Sequence, residues 1–514
     1  MSRLRTRLIA LALAGVGLAS GARAAVDAPL VEAASRGDAG AVRALLDEGA
    51  DPDERQGDGA TALHWAVHRG DVSMVETLLA TGATVDAVNE LAVTPLLLAA
   101  SNGQVAVVDR LLAAGADPEG GATGRERPLM RAAWVGSTAV VRALLDAGAD
   151  PNGMEPARQQ TALMWAVSER HPDVVQLLLD RGADVTATTV THRTGRAATR
   201  DIVGYTPLLF AARVGDAESL RLLMDFGADP NAASSDGMSA LILATVRGYP
   251  DVAMQLLDAG ADPNAADPGY SALHWAAGWW ETTLTTTDFR PDREGNDEWN
   301  SLPGLTEGKA ELVAALLATG ADPNLPMERT PPRAGATRNP SMPELRGATP
   351  YLLAAAAGDA EVMRLLAGAG ADLTLTTDAG ATPLMAAAGF GRMLGENTVD
   401  EERIVEAARL ALELGADLSA TDEVENTALH YAAYHRLTSL VGHLVEQGAL
   451  LGQRNKFGET PLWLSELAIQ FYGGGTYQIV PTVTGDLLRT LGADPTTPFY
   501  DRARPRDWPD LQLQ

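Results

Sequence analysis

A short phrase, Thr-Pro-Leu or Thr-Ala-Leu, recurs along this 514-residue chain and constrains its fold more than any other feature. Successive copies, some of them degenerate, start at Thr61, Thr94 and Arg127, so the spacing between them is constant. A second phrase, Gly-Ala-Asp, closes most repeats. A fixed period of about 20–50 residues is typical of proteins built from one stacked supersecondary motif. Twelve repeats fit the sequence, starting near residues 28, 61, 94, 127, 161, 206, 239, 271, 349, 382, 427 and 460.

Each repeat is predicted to contain two short helices. The threonine side chain can cap a helix start, and proline at the first helical position leaves no additional N–H unpaired. In the second repeat, Gly70 should end the first helix in a left-handed conformation, and Asp71 should cap the second helix. Val75, Leu78 and Leu79 then form an apolar stripe on one helix face. Because one repeat buries too little apolar surface to fold alone, the repeats must stack, and we predict an all-α solenoid.

Three repeats carry a longer motif, Thr/Ser-Ala-Leu-His-x-Ala, at residues 61–66, 271–276 and 427–432. Together with the period and the closing Gly-Ala-Asp, this motif resembles the signature of the ankyrin-repeat family, over nearly the whole chain. The resemblance implies an ankyrin-repeat solenoid of about twelve helix–turn–helix units with loop insertions. It also implies a concave face built from first helices and projecting finger loops, and a function in binding another protein.

The histidines of this motif are candidates for chemistry and need a separate interpretation. The resemblance implies that His64, His274 and His430 form a structural hydrogen bond beside the capping Thr or Ser. His64 and His68 have the i, i+4 spacing that can bind a metal, but no His-Glu-x-x-His pattern and no third ligand accompany them. Since no Gly-x-Ser-x-Gly motif, P-loop or dinucleotide fingerprint occurs either, we expect no catalytic residues, no metal and no cofactor.

Five insertions interrupt the period, and long loops on a rigid scaffold often carry function. The largest contains Trp279, Trp280, Phe289 and Trp299. Exposed tryptophan is enriched at binding hot spots, so these rings are predicted either to contact a partner or to pin the loop to the solenoid. The insertions span residues 185–205, 278–308, 325–347, 389–402 and 471–484.

The two ends of the chain depart from the repeat. Residues 1–24 read as a secretory signal peptide, cleaved after Ala24, because a basic stretch, a short apolar run and a small-x-small site follow one another. The mature protein should then consist of a solenoid over residues 25–497 and a tail over 498–514 that either caps the last repeat or is disordered. This pattern is that of a secreted bacterial protein, located in the periplasm or outside the cell.

Charge limits the choice of partner. The formal net charge of −27 repels phosphate backbones, which argues against nucleic-acid binding. The predicted mature chain contains no stretch apolar enough to span a membrane. We therefore expect a monomeric, non-catalytic protein–protein interaction scaffold or adaptor in the periplasm. The alternative is a ligand- or metal-sensing protein that uses the loop insertions as a pocket.

Candidate binding residues follow from the expected geometry. The last turn of each first helix and the base of each finger should face the concave side, and Arg and aromatic residues dominate interface energies. Ordinary surface variation is the alternative interpretation for any one of them. The candidate protein-binding residues are His68, Arg69, Trp134, Tyr205, Arg213, Arg247, Tyr270, Trp279, Trp280, Trp299, Tyr434 and His435.

Overall fold

The computed structural model describes residues 28–120, 126–190, 204–278, 305, 307–329, 345–391, 399–470 and 476–494. Two compact units divide the chain, Met1–Ala187 and Thr188–Gln514. The predicted signal peptide, the tail over 498–514, and Trp279, Trp280 and Trp299 of the largest insertion lie outside the described residues.

The described part of the first compact unit consists of paired helices. In each pair, the first helix packs on the second, and each also packs on its counterpart in the next pair, which produces one row of first helices and one row of second helices. The pairs are α1 (Pro29–Arg36) with α2 (Ala39–Asp47), α3 (Ala62–Arg69) with α4 (Val72–Ala80), α5 (Pro95–Ser101) with α6 (Val105–Ala113), α7 (Pro128–Val135) with α8 (Thr138–Asp146), and α9 (Ala162–Ser168) with α10 (Pro172–Asp180).

The second compact unit repeats the same arrangement of two helix rows. Its pairs are α11 (Pro207–Val214) with α12 (Ala217–Asp225), α13 (Ala240–Val246) with α14 (Pro250–Asp258), α15 (Ala272–Ala277) with α16 (Lys309–Ala318), α17 (Pro350–Ala356) with α18 (Ala360–Gly368), α19 (Pro383–Ala387) with α20 (Glu401–Glu413), α21 (Ala428–Tyr434) with α22 (Thr438–Glu446), and α23 (Pro461–Glu466) with α24 (Val483–Thr490). No helix in these described ranges is long and apolar enough to cross a membrane.

The helix boundaries follow the capping chemistry of the phrase. Thr94 Oγ1 accepts a hydrogen bond from the Leu97 backbone N–H at 3.2 Å, as a helix N-cap does. Gly70 ends α3 in the left-handed region with φ of 68°, and Asp71 then caps α4 by accepting from the Met74 N–H at 3.0 Å. These local hydrogen bonds fix where the helices begin and end. The helical solenoid expected from the sequence is confirmed by the paired and stacked helices.

In four repeats, a side-chain amide beside the turn that follows the second helix joins the repeat to the next one. In the first compact unit, Asn152 Nδ2 donates to the Gly182 carbonyl at 3.0 Å, and Asn152 Oδ1 accepts from the Asp184 N–H at 2.7 Å. Asn231, Asn264 and Asn324 form the same bridge in the second unit. The bridge of Asn264 reaches Asp322, on the far side of the largest insertion, so this insertion does not interrupt the stack.

A second contact between repeats lies at the end of the first helix, where glycine leaves what we call the glycine notch. The next repeat fills this notch with a large side chain. A Cβ built on Gly136 would lie 2.6 Å from the His171 ring, and one built on Gly215 would lie 2.6 Å from the Tyr249 ring. A side chain larger than hydrogen at these positions would therefore collide with the neighbouring ring and force it to shift.

The insertions begin and end at points that backbone hydrogen bonds hold together. The Gly204 N–H donates to the Thr189 carbonyl at 2.8 Å, which closes the insertion of the fifth repeat at its base. The Gly347 N–H donates in the same way to the Met327 carbonyl at 2.8 Å. The last insertion differs from the all-α expectation, because antiparallel strands β1 (Leu467–Gln470) and β2 (Thr476–Ile479) pair at its base.

Candidate protein-binding surface

The three motif histidines lie in the interior and act as helix caps. His64 Nδ1 accepts from the Thr61 N–H at 3.2 Å, and its Nε2 donates to the Val93 carbonyl of the next repeat at 3.0 Å. Since a carbonyl can only accept, the proton is on Nε2 and the ring is neutral. The prediction of a structural role is confirmed. His274 bonds Ser271 and Leu325 in the same pattern, and His430 bonds Thr427 and Glu459.

Burial sets the protonation state of these rings. Because desolvation disfavours the imidazolium form, burial lowers the pKa of His274 and of His430 to about 4. Burial also lowers the pKa of His64. At neutral pH all three rings are therefore neutral caps with one donor and one acceptor, which is the form that this hydrogen-bond pattern requires.

Two of the predicted binding residues are core residues, which corrects the expectation that they are exposed at the finger base. Tyr205 is 5 % exposed and packs edge-on against Phe210, with ring centroids 5.6 Å apart. Tyr270 is 3 % exposed and its hydroxyl lies 3.6 Å from the Met238 sulfur. These rings fill the space between finger and helix, so they are removed from the candidate surface.

Residues predicted at the last turn of the first helices mostly contact the preceding repeat. His435 is buried because its ring fills the notch at Gly389. The exposed Arg69 donates to the Ser35 carbonyl at 3.3 Å, and Arg247 Nε donates to the Arg213 carbonyl at 3.2 Å. These contacts give the positions a structural role beside any role in binding. Arg213, Arg247 and Tyr434 are half-buried.

The first compact unit instead presents a set of large side chains along its row of first helices. We call Trp65, His68, Arg131, Trp134 and Trp165 the aromatic row. The three tryptophans are half-buried, so part of each ring faces solvent. Within the row, Trp65 and His68 meet edge-on with centroids 5.7 Å apart, and the Arg131 guanidinium carbon lies 4.5 Å from the centre of the Trp134 ring. Such a cation–π contact fixes both side chains.

Trp65 and Trp165 occupy equivalent positions, four residues after the capping threonine, but differ in hydrogen bonding. The Trp65 indole N–H donates to Gln56 Oε1 in the finger at 3.0 Å. The bridges Arg55–Thr61 and Met154–Thr161 place Glu155 at the equivalent finger position of the fifth repeat, and its carboxylate accepts from the Ala157 and Arg158 N–H groups at 2.6 Å each. The Trp165 indole nitrogen is accordingly buried without a hydrogen-bond partner in the described part of the chain.

The sequence contains a signal for this row that the expected geometry does not use. Large aromatic residues recur four positions after the cap, whereas the binding side was expected at the last helical turn and the finger base. Equivalent positions of stacked repeats form a row, so this recurrence predicts a line of rings. The residues at this position are Trp65, Trp165, Phe210, Trp275 and Tyr431.

Charge is segregated between the two helix types. The ten first helices from α3 to α21 contain no Asp or Glu, whereas each second helix from α2 to α24 contains at least one. These ten first helices are therefore neutral or positive, in contrast to the second helices. A partner that docks on first helices is not selected by the net charge of the whole protein.

The folded architecture is that of a helical-repeat protein with an aromatic and cationic surface. A family model described as ankyrin repeats (3 copies) matches residues 30–122, 119–189 and 194–267, and a model described as ankyrin repeat matches residues 425–456. The chain belongs to the ankyrin-repeat family. Ankyrin repeats generally mediate protein–protein interaction.

The chain is also similar to individual ankyrin proteins. It is 33% identical over 150 residues to Ankyrin repeat and SOCS box protein 16 of Mus musculus, covering 29% of this chain and 31% of the relative. It is 38% identical over 92 residues to Protein PhlB of Serratia liquefaciens, covering 18% of this chain and 35% of the relative. The chain thus spans about a third of the length of these curated relatives.

A solved structure is also similar to this chain. The match to the crystal structure of the human ASB11 ankyrin repeat domain covers 46% of this chain and 99% of the solved chain, at 29% sequence identity and a TM-score of 0.40.

Proposed function

We propose that this protein is a non-catalytic interaction scaffold or adaptor, and that the aromatic row of its first compact unit docks a folded partner protein. One observation carries this proposal: three half-buried tryptophans and a stacked arginine lie along first helices that are free of carboxylates. Trp and Arg are the residue types that most often contribute large binding energies, especially when their neighbours already fix their orientation.

The ring positions suit binding better than a purely structural role. A core tryptophan would be enclosed, as Trp275 is at the equivalent position of the eighth repeat. Trp65, Trp134 and Trp165 keep part of their surface in water, and a partner that covered this surface would add apolar burial at little cost in side-chain entropy. The loop insertions add candidate contacts through Trp279, Trp280 and Trp299.

We also propose that the protein acts in the periplasm after export, since residues 1–24 follow the pattern of a cleaved signal. Tagged full-length chain, expressed in its source organism, should be recovered from the periplasmic fraction with Ala25 as its first residue. Partners captured there are then compared between the wild type and Trp65→Ala/Trp134→Ala/Trp165→Ala. Loss of at least tenfold in the captured protein is expected, measured by quantitative mass spectrometry.

Two matched variants control this capture experiment. Phe226→Ala removes a 43 % exposed ring at the end of a second helix, and should leave capture unchanged. Val135→Glu places a charge beside Trp134 without removing a ring, and should reduce capture while helicity and melting temperature stay near wild type. Equal capture by all variants would exclude the aromatic row as the docking surface.

A further inference from the structure

Building on the proposed function, we infer that Arg131 is the site at which the aromatic row binds a carboxylate of its partner. Glu126 of the neighbouring finger occupies that place in the free protein. The partner surface is accordingly an acidic one, with Asp or Glu flanked by apolar side chains. This differs from what the net charge of the whole chain suggests, since a polyanion would attract basic partners.

The state of the Arg131 side chain carries this inference. Only 7% of the side chain is exposed. Its Nε donates to Ser101 Oγ at 3.2 Å, and one face of the guanidinium covers Trp134. These contacts hold the planar group in one orientation, as an arginine that recognises carboxylates bidentately requires.

The charge of this buried group is incompletely paired. The nearest carboxylate, that of Glu126, lies 3.5 Å from Nη1, beyond the usual length of about 2.8 Å for a charge-assisted hydrogen bond. Burial also lowers the pKa of Arg131, with Glu126 opposing this effect. A closer carboxylate would therefore complete an interaction that the free protein leaves weak.

Glu126 also shows from which side a carboxylate can approach. Its side chain is 40% exposed, so the ion pair meets solvent on this side. Asp and Glu are absent from the helices α5, α7 and α9 around the pair, and no other carboxylate on these helices competes for the guanidinium. Trp134 under the guanidinium and Trp165 on the next repeat provide the apolar surface for residues that flank the partner carboxylate.

The test uses a phage-displayed library of random 12-residue peptides, selected on immobilised full-length chain. Peptides whose binding depends on Trp134 should carry Asp or Glu next to apolar residues. A synthetic enriched peptide is then titrated by fluorescence polarisation. Arg131→Gln should weaken its binding at least tenfold, because a charge-assisted hydrogen-bond pair is lost. Glu126→Gln should strengthen binding severalfold, since the competing carboxylate is gone.

Arg142 offers a matched control, because Arg142→Gln removes the same charge from an exposed position on the second helix of the same repeat. It should change binding less than twofold. Replacing the peptide carboxylate by its amide should weaken wild-type binding as much as Arg131→Gln does, with no further loss in the combination. Glu126→Gln changes an exposed residue, so its outcome does not depend on Arg131 variants folding.

The outcomes separate this inference from the function on which it rests. Peptides that depend on Trp134 but lack acidic residues would overturn the carboxylate site and leave the docking surface intact. The carboxylate site would also be overturned if Arg131→Gln and Arg142→Gln weakened binding equally, or if Glu126→Gln had no effect on binding. A further contradiction would be that the losses in affinity from Arg131→Gln and from the peptide amide add in the combination. A selection that yields no Trp134-dependent peptide would overturn the carboxylate site, whereas equal capture of the partner protein by all variants would overturn both.

Discussion

At the scale of single residues, the same side chain serves different purposes in equivalent repeats. A tryptophan four residues after the cap is enclosed at Trp275 and half-buried at Trp65 and Trp165. The neighbouring finger also differs, because Gln56 accepts from the Trp65 indole N–H, whereas its counterpart Glu155 accepts from N–H groups of its own finger and the Trp165 indole N–H has no acceptor among the described residues. The Trp165 ring is therefore held by packing alone.

This difference predicts unequal effects of one substitution at two sites. Trp65→Phe and Trp165→Phe remove the same atoms, but only Trp65→Phe breaks a hydrogen bond and leaves Gln56 unpaired. We expect Trp65→Phe to lower the free energy of unfolding by about 1 kcal/mol more than Trp165→Phe. Urea denaturation of the two variants measures the difference, and equal losses would show that the Gln56 bond contributes nothing to stability.

A second residue-scale prediction concerns pH. The folded pKa of His274 is about 4, against 6.5 for the free side chain, so between these values the unfolded chain binds a proton that the folded chain does not. The free energy of unfolding is therefore highest above the unfolded pKa, where the ring is neutral in both states. It decreases as the pH falls from about 7 towards 4, because protonation then favours the unfolded chain. A histidine with this folded pKa should lower the free energy of unfolding by about 2 kcal/mol at pH 5 relative to pH 7.

His274→Gln tests this linkage, since glutamine keeps the capping-box geometry but does not titrate. Urea denaturation of the wild type and the variant at pH 7 and pH 5 should show a smaller pH dependence in the variant. A pH dependence identical to that of the wild type would mean that protonation of His274 is not linked to folding.

At the scale of helices, the stack depends on close contacts that the motif phrase does not reveal. Each glycine notch receives a side chain from the following repeat, and the identity of that side chain varies between His171 and Tyr249. Glycine recurs at the end of the first helices for two reasons. The backbone there is left-handed, and the side chain from the following repeat leaves no room for a Cβ. The turns after the second helices contain a second class of glycine, such as Gly148, which has φ of 93° and no neighbouring atom within 4 Å of an added Cβ.

These two classes allow strain and collision to be separated. Gly148→Ala should cost about 1 kcal/mol, from the left-handed backbone alone. Gly136→Ala, with φ of 79°, should cost about 2–4 kcal/mol, because the new methyl group also collides with His171. Thermal and urea denaturation measure both values.

Adding His171→Ala to Gly136→Ala should recover most of the additional loss, since the collision is then relieved. If Gly136→Ala and Gly148→Ala were equally destabilising, the notch would not be a contact that matters for stability.

At the scale of the molecule, the sequence predicts the helix pairs and their order well. Capping by Thr94 or Asp71 is a local interaction, and a local pattern is sufficient to predict it. The burial of Tyr205 and Tyr270 was not predicted, because it depends on how the finger packs against its own helix. The strands at Leu467–Gln470 and Thr476–Ile479 were also missed, since short strands give a weak signal inside a helical repeat.

The candidate surface was predicted only in part for a similar reason. The position near the helix end predicts Trp134 and His68 as candidate binding residues, whereas it does not predict Trp65, Trp165 or Arg131. The exposure of a ring in a stacked repeat depends on the finger beside it and on the next repeat, and both lie a full period away in the sequence. The role of Arg131 in particular depends on Ser101 and Glu126, which belong to the preceding repeat and to a finger.

The closed bases of the insertions have a consequence for how such a chain can change over evolutionary time. Thr189 and Gly204 are hydrogen-bonded, as are Met327 and Gly347, so each excursion departs from and rejoins the helices at one fixed point. Asn264 still reaches its neighbour in the following repeat, 58 positions further along the chain. Segments can therefore be inserted, lengthened or exchanged at these junctions while the helix pairs keep their spacing. Sequence changes in the insertions then leave the buried contacts between repeats unaltered.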